Sequence, residues 1–131
     1  MSKRTYFNGS FQQRTRELFG LAQGLPSNNI LSLAYDKKGV LFVGTEKGLA
    51  KIEKGKVESV NLGLAADNAA VSMIFVDADN SVWAASGNKL FHLKGKKVVS
   101  FPEFSSSPVD MAQGSDGALW LLTRDMLYKA E

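Results

Sequence analysis

A chain of 131 residues and 14.2 kDa has room for one domain, and 44% hydrophobic with 22% charged residues is the balance of a folded globular protein. With no cysteine and a single histidine, His92, disulfide scaffolds, thiol catalysis and cysteine or multi-histidine metal sites are excluded, so neither metal nor cofactor is expected. A net charge of +3 and a pI of about 9.2 are too mild to predict a nucleic-acid partner.

The N-terminal stretch from Met1 to Gly9 has a basic pair, Lys3-Arg4, with no apolar segment behind it, so no signal peptide is read there. No apolar run reaches the ~18 residues of a membrane helix, and no membrane insertion is expected. As written the chain stays where it is made, though an initiator methionine added to an excised piece would look the same. Asn8-Gly9 is a two-residue hairpin signal that would pair Lys3–Phe7 with Ser10–Arg14. An amphipathic helix over Phe11–Ala22 competes with it, and the register of the repeat described next favours strand.

Three segments read alike: Val40-Leu41-Phe42-Val43-Gly44-Thr45, Ser81-Val82-Trp83-Ala84-Ala85-Ser86 and Ala118-Leu119-Trp120-Leu121-Leu122-Thr123. Each sets an aromatic after an aliphatic residue and reaches Ser or Thr three positions on. The aromatics lie 41 (83 minus 42) and 37 (120 minus 83) residues apart, a period suited to one propeller blade. Upstream of each segment runs an apolar stretch, at residues 30–35, 71–76 and 109–112, followed by a polar turn beginning at Asp36, Asp77 and Ser115. Downstream come residues 49–52, 90–93 and 127–130. Short runs, frequent turns and no helical period predict antiparallel meanders with strands a, b and c. A fourth strand, d, is read at 57–60 and 98–101, and Arg16-Glu17-Leu18-Phe19 aligns with it at the same 41-residue offset. The fold class is therefore all-β: about three four-stranded propeller blades at 24–61, 64–101 and 105–130, with 16–19 as closing strand.

Gly24-Leu25-Pro26-Ser27-Asn28-Asn29-Ile30, then Asp36, Gly39, Leu41-Phe42-Val43-Gly44-Thr45 and Gly48-Leu49, resembles the two-component regulator propeller repeat, with Phe42 where a tryptophan is usual. The second copy carries Ala65-Ala66-Asp67-Asn68 in place of Leu-Pro-Ser-Asn, and the third keeps Asp116-Gly117-Ala118-Leu119-Trp120. The resemblance covers about residues 16–130. It implies a β-propeller and, for such repeats, the extracytoplasmic sensor part of hybrid histidine kinases.

Radial propellers need about four to eight blades, and three leave two open blade faces. Closed symmetry removes both faces at once. The expectation is a homodimer of six blades in which each N-terminal strand d completes the partner's last blade. The candidate ligand site is the polar mouth formed by loops entering strand a, with Asn28, Asn29, Asp67, Asn68 and Asp110, for a small molecule or protein partner. The rival reading of Pro26-Ser27-Asn28-Asn29 is a plain turn between blades.

Trp83 and Trp120 are expected to wedge between blades rather than stack on a sugar, which sets a carbohydrate-binding lectin below a sensing module. A streptogramin-lyase-like enzyme ranks lower, since its chemistry needs a base and usually a metal. Asp77-Ala78-Asp79-Asn80 lacks the glycine and distal glutamate of a calcium loop, so turn chemistry explains it. Lys51, Lys54, Lys56, Lys94, Lys96 and Lys97 read as edge-strand protection, and His92 as an incidental rim residue.

Overall fold

The computed structural model describes residues 17–63, 69–101 and 104–130. Three antiparallel sheets follow one another along the chain. The first contains β1 (Ile30–Tyr35), β2 (Leu41–Thr45), β3 (Gly48–Glu53) and β4 (Lys56–Val60). The second contains β5 (Met73–Val76), β6 (Val82–Ser86), β7 (Lys89–Lys94) and β8 (Lys97–Ser100). The third contains β9 (Pro108–Gln113), β10 (Leu119–Thr123) and β11 (Leu127–Ala130). Each strand pairs with the next in sequence, so every sheet is a simple meander. The chain is all-β and built of propeller blades, as the repeat predicts. The hairpin proposed for Lys3–Phe7 and Ser10–Arg14 lies outside the described residues. Glu17–Phe19 belong to no strand of the single chain, and a 3-10 turn at Leu21–Gln23 stands at the end of the rival helix.

The turns show why the meander forms. Asp36 Oδ1 accepts the backbone N–H groups of Lys38 and Val40 at 2.8 and 2.9 Å, and Asp77 Oδ1 those of Asp79 and Ser81 at 3.0 Å each. Each aspartate thus bends the a–b turn onto its own side chain. Lys54-Gly55, with φ of 53° and 78°, supplies the paired left-handed conformation that a tight two-residue hairpin requires. The hydroxyl three residues past the aromatic serves the b–c turn. Thr45 Oγ1 donates to the Gly48 carbonyl at 2.8 Å and accepts the Lys47 N–H at 3.1 Å. Thr123 Oγ1 accepts the Met126 N–H at 3.1 Å in the same way. Both threonines are buried, and these bonds satisfy them.

Blade packing follows from the period of two along each strand. On β2, Phe42 points toward the second blade and joins Leu49, Val71, Val82, Ala84, Phe91 and Leu93 in one apolar cluster. On β6, Val82 and Ala84 face back into that cluster, whereas Trp83 and Ala85 face forward with Met73, Met111 and Leu121. A third cluster, Leu25, Val43 and Ala50 with Phe19, Leu41, Ile52 and Val57, covers part of the back of the first blade. Backbone bonds pin the first seam: Val71 N–H donates to the Thr45 carbonyl at 2.9 Å, and Ser32 Oγ to the Val71 carbonyl at 3.1 Å.

Gly44 sits at that pinned crossing. A Cβ there would run into Ser32 Oγ and the Val71 carbonyl, and a backbone oxygen cannot swing aside. Gly44→Ala is expected to cost about 1–3 kcal/mol, the range of overpacking in a filled interior. A urea midpoint equal to wild type would show that the first seam is looser than described.

Candidate functional site

Loops at the two ends of the blades are chemically different. At one end the segments entering strand a meet the b–c turns: Glu46 N–H donates to the Asn29 carbonyl at 3.0 Å, and Phe104 and Asn88 exchange bonds of 2.8 and 3.0 Å. This is the predicted polar mouth. Asn28 Oδ1 there accepts the Leu21 N–H at 2.8 Å and so holds the 3-10 turn. Asn29 is exposed, with its backbone N–H on Ser27 Oγ at 3.0 Å. Asp67 and Asn68 lie outside the described residues.

Asp110 stands differently from the mouth residues. A register shift between Leu122 and Thr123 marks a bulge in β9, matching the one after Ile30 in β1. Past the bulge Asp110 pairs with Leu122, and Ala112 with Trp120. Asp110 therefore lies on the forward face of the third blade, where Ser32 lies on the first. Its Oδ1 accepts the Met111 N–H at 2.9 Å.

Among the described residues no other sheet covers that forward face. Phe42, Trp83 and Trp120 hold the same place on three successive blades. Phe42 is 9% exposed under the second blade and Trp83 is half-buried under the third, but Trp120 is 36% exposed with Leu122 and Leu127 beside it. Trp83 packs as a wedge between blades, as expected; among the described residues no further sheet packs over Trp120. The Lys129 ammonium lies over its ring, 5.3 Å from the centroid. The back of the first blade is open where Leu33 and Tyr35 are 61% and 68% exposed.

The polar cluster at the second blade is one that sequence reasoning did not assemble. Asp77 Oδ2 accepts from Ser81 Oγ at 2.5 Å and from the Trp83 indole N–H at 2.9 Å. His92 Nε2 lies 2.7 Å from Ser81 Oγ and 3.9 Å from Asp77 Oδ2. Ser81 has one proton and gives it to Asp77, so His92 Nε2 carries the hydrogen and donates to Ser81. The imidazole also stacks on Trp83, centroids 3.9 Å apart and planes 14° off parallel. His92 is thus part of the second seam, not an incidental rim residue. The legible signal was register: Trp83 lies directly opposite His92 across the b–c hairpin.

Burial pushes the Asp77 carboxyl up, but hydrogen bonds from Ser81, Trp83 and the backbone of Ser81 and Asp79 outweigh it and hold the group below the ordinary 3.8. Burial lowers His92 below the ordinary 6.5; Asp77 opposes this and Lys94 adds to it. With its oxygens engaged by these donors, Asp77 serves the fold, and the Asp77–Asn80 segment is a turn. Among the described residues no group of three acidic or histidine side chains is placed to hold a metal ion. The lysines at 54, 56, 94, 96 and 97 are exposed along the outer edges of the blades, with Lys51 set opposite Glu58.

The three sheets, each a meander packed face to face on the next, define a run of β-propeller blades. Residues 24–47 match the family model described as two component regulator propeller, which bears out the resemblance read from the repeat. No curated protein matches the chain. Among solved structures, it is similar to the extracellular domain of BT4673 from B. thetaiotaomicron, described in one crystal structure as a one component system and in another as a hybrid two component system. The identities are 27% and 26%, over 83% and 86% of this chain, with TM-scores of 0.75 and 0.77. The extracellular domain of BT3049, a hybrid two component system of the same organism, shares the fold at 23% identity over 75% of this chain, with a TM-score of 0.59. This chain spans 16% of the length of the BT4673 structures and 14% of the BT3049 one.

Both titrating groups of this cluster make the fold sensitive to acid. His92 favours its neutral form when folded, so its contribution is present above pH 6.5 and is lost as pH falls through its lowered value. Asp77 favours its charged form, so its contribution is present above pH 3.8 and is lost below that. Denaturant midpoints measured from pH 8 to pH 3 are expected to fall in these two windows. His92→Gln should flatten the upper one and Asp77→Asn the lower. Unchanged slopes in both variants would remove the cluster from the account of stability.

Proposed function

We propose that this chain is a non-catalytic sensing module of the two-component regulator propeller type, completed to six blades by a second copy. The carrying observation is Trp120: its counterparts Phe42 and Trp83 are covered by the next blade, whereas it is exposed. The back of the first blade, with Leu33 and Tyr35 exposed, is an apolar surface of the kind that Phe42 and Trp83 already pack against. Contiguous exposed apolar patches mark interaction surfaces. In this reading the forward face of one protomer seats on the first blade of its partner, twice over.

The ligand, a small molecule or protein segment, is taken at the mouth where loops enter strand a, by Asn29 with Asp67 and Asn68. Asp110 lies beside the mouth at the closing seam, and Asn28 positions the loop through Leu21. Sensing fits the extracellular domains to which the chain is similar. The lectin reading needs exposed aromatics repeated around the blades, and Phe42 and Trp83 are packed.

Light scattering coupled to size exclusion tests the assembly. The expected mass is about 28.4 kDa, twice 14.2 kDa, and Trp120→Glu should return the protein to 14.2 kDa without loss of β-structure by circular dichroism. A wild-type chain at 14.2 kDa would overturn closure by a second copy and leave the faces to further blades of another chain.

A further inference from the structure

The end opposite the mouth, where the a–b turns lie, has a shallow, solvent-open cleft of ≈ 520 Å³ at the second seam. Its origin lies in a difference between the two seams. At the first seam Lys37 N–H donates to Asn80 Oδ1 at 2.6 Å, and the Lys37 side chain reaches over to the Ala78 carbonyl. At the second seam the residue in the place of Lys37 is Ala78. Its N–H is likewise clamped across, to Gln113 Oε1 at 2.7 Å, but its methyl group spans nothing. The space that a long side chain occupies at the first seam is left open at the second.

We propose that this cleft binds a small carboxylate with an apolar body. Phe75 and Met111, which face the second seam, give it an apolar wall. Two donors are among its lining residues. Lys37 has a single carbonyl contact through its ammonium group and two N–H bonds left to give. Ser115, exposed on the third a–b turn, also lines it. Asp77, the one carboxylate among the lining residues, is turned into its bonds with Ser81, Trp83 and the turn backbone. The volume falls within the roughly 300–1,000 Å³ of small-molecule sites, which pair apolar walls with a few fixed polar groups. The lining residues belong to the second and third blades and to Lys37 of the first, so the site goes beyond the sensing reading.

The test uses the full chain, isotope-labelled, titrated with phenylacetate and separately with phenylacetamide, its neutral counterpart. Saturable amide shifts at Lys37, Phe75, Ala112 and Ser115 are expected with phenylacetate at millimolar concentration, and weaker ones with the amide. Lys37→Gln keeps the backbone clamp to Asn80 and should weaken phenylacetate about tenfold, as loss of a charge-assisted hydrogen bond does. Ser115→Trp, placed on an exposed turn where folding is tolerant, should block the site by bulk. Equal binding of the amide, indifference to both substitutions, shifts centred elsewhere or no shifts at all would each overturn the proposal. Because oligomeric mass is read separately, failure here is distinct from failure of the six-blade reading.

Discussion

Everything in this chain depends on one constraint: a sheet of four short strands has two faces and no interior of its own. Such a sheet becomes stable when another covers it, and the chain meets that need by repeating the sheet and stacking each copy against the next. The repeated aromatic is the means. Phe42 fills the first seam among Leu49, Val71 and Val82, and Trp83 fills the second against His92 and Phe101. The tight crossing of Gly44 under Ser32 and Val71 shows how closely blade follows blade at the inner strands.

Polar groups give the stack its register. Apolar surface alone would let one sheet slide on the next, since burial carries no direction. Fixed bonds prevent this at both ends of each seam: Val71 to Thr45 and Lys37 to Asn80 at the first, Ala78 to Gln113 and Phe104 to Asn88 at the second. The Asp77–Ser81–His92 chain is another such device within the second blade, anchoring the indole of Trp83 while its ring faces the neighbouring blade. Asp77, Ser81 and His92 are buried or half-buried, and their mutual satisfaction keeps that burial from being a cost.

Much of this was legible from the residues. The strands at Ile30–Tyr35 and Leu41–Thr45, and their later copies, follow from alternation, turn residues and the 41-residue period. Thr45 and Thr123 were visible as repeat positions, and their place in the b–c turns emerged from the hydroxyl bonds. Less legible was what depends on contacts across strands or on a local break in pairing. The bulge that places Asp110 on the forward face carries no distinctive residue, so counting along strand a set Asp110 at the mouth. Asn28 looked free because its bond to Leu21 bridges seven positions and depends on a turn that no period predicts. His92 looked incidental because its partners, Ser81 and Asp77, stand apart in sequence and meet only once the hairpin closes.

The two faces of every blade are unlike: on β2, Phe42 projects forward and Val43 backward into different surroundings. Contacts between such blades are head to tail, so an assembly made through them would be a polar one whose outcome is decided by angle. A wedge of three blades that turns through half a circle finds its own tail after one addition and stops. A wedge that turns through slightly more or less has no such stop and winds on as a helical filament. The seam contacts that set blade against blade within the chain are therefore also what would separate a finite particle from an endless one.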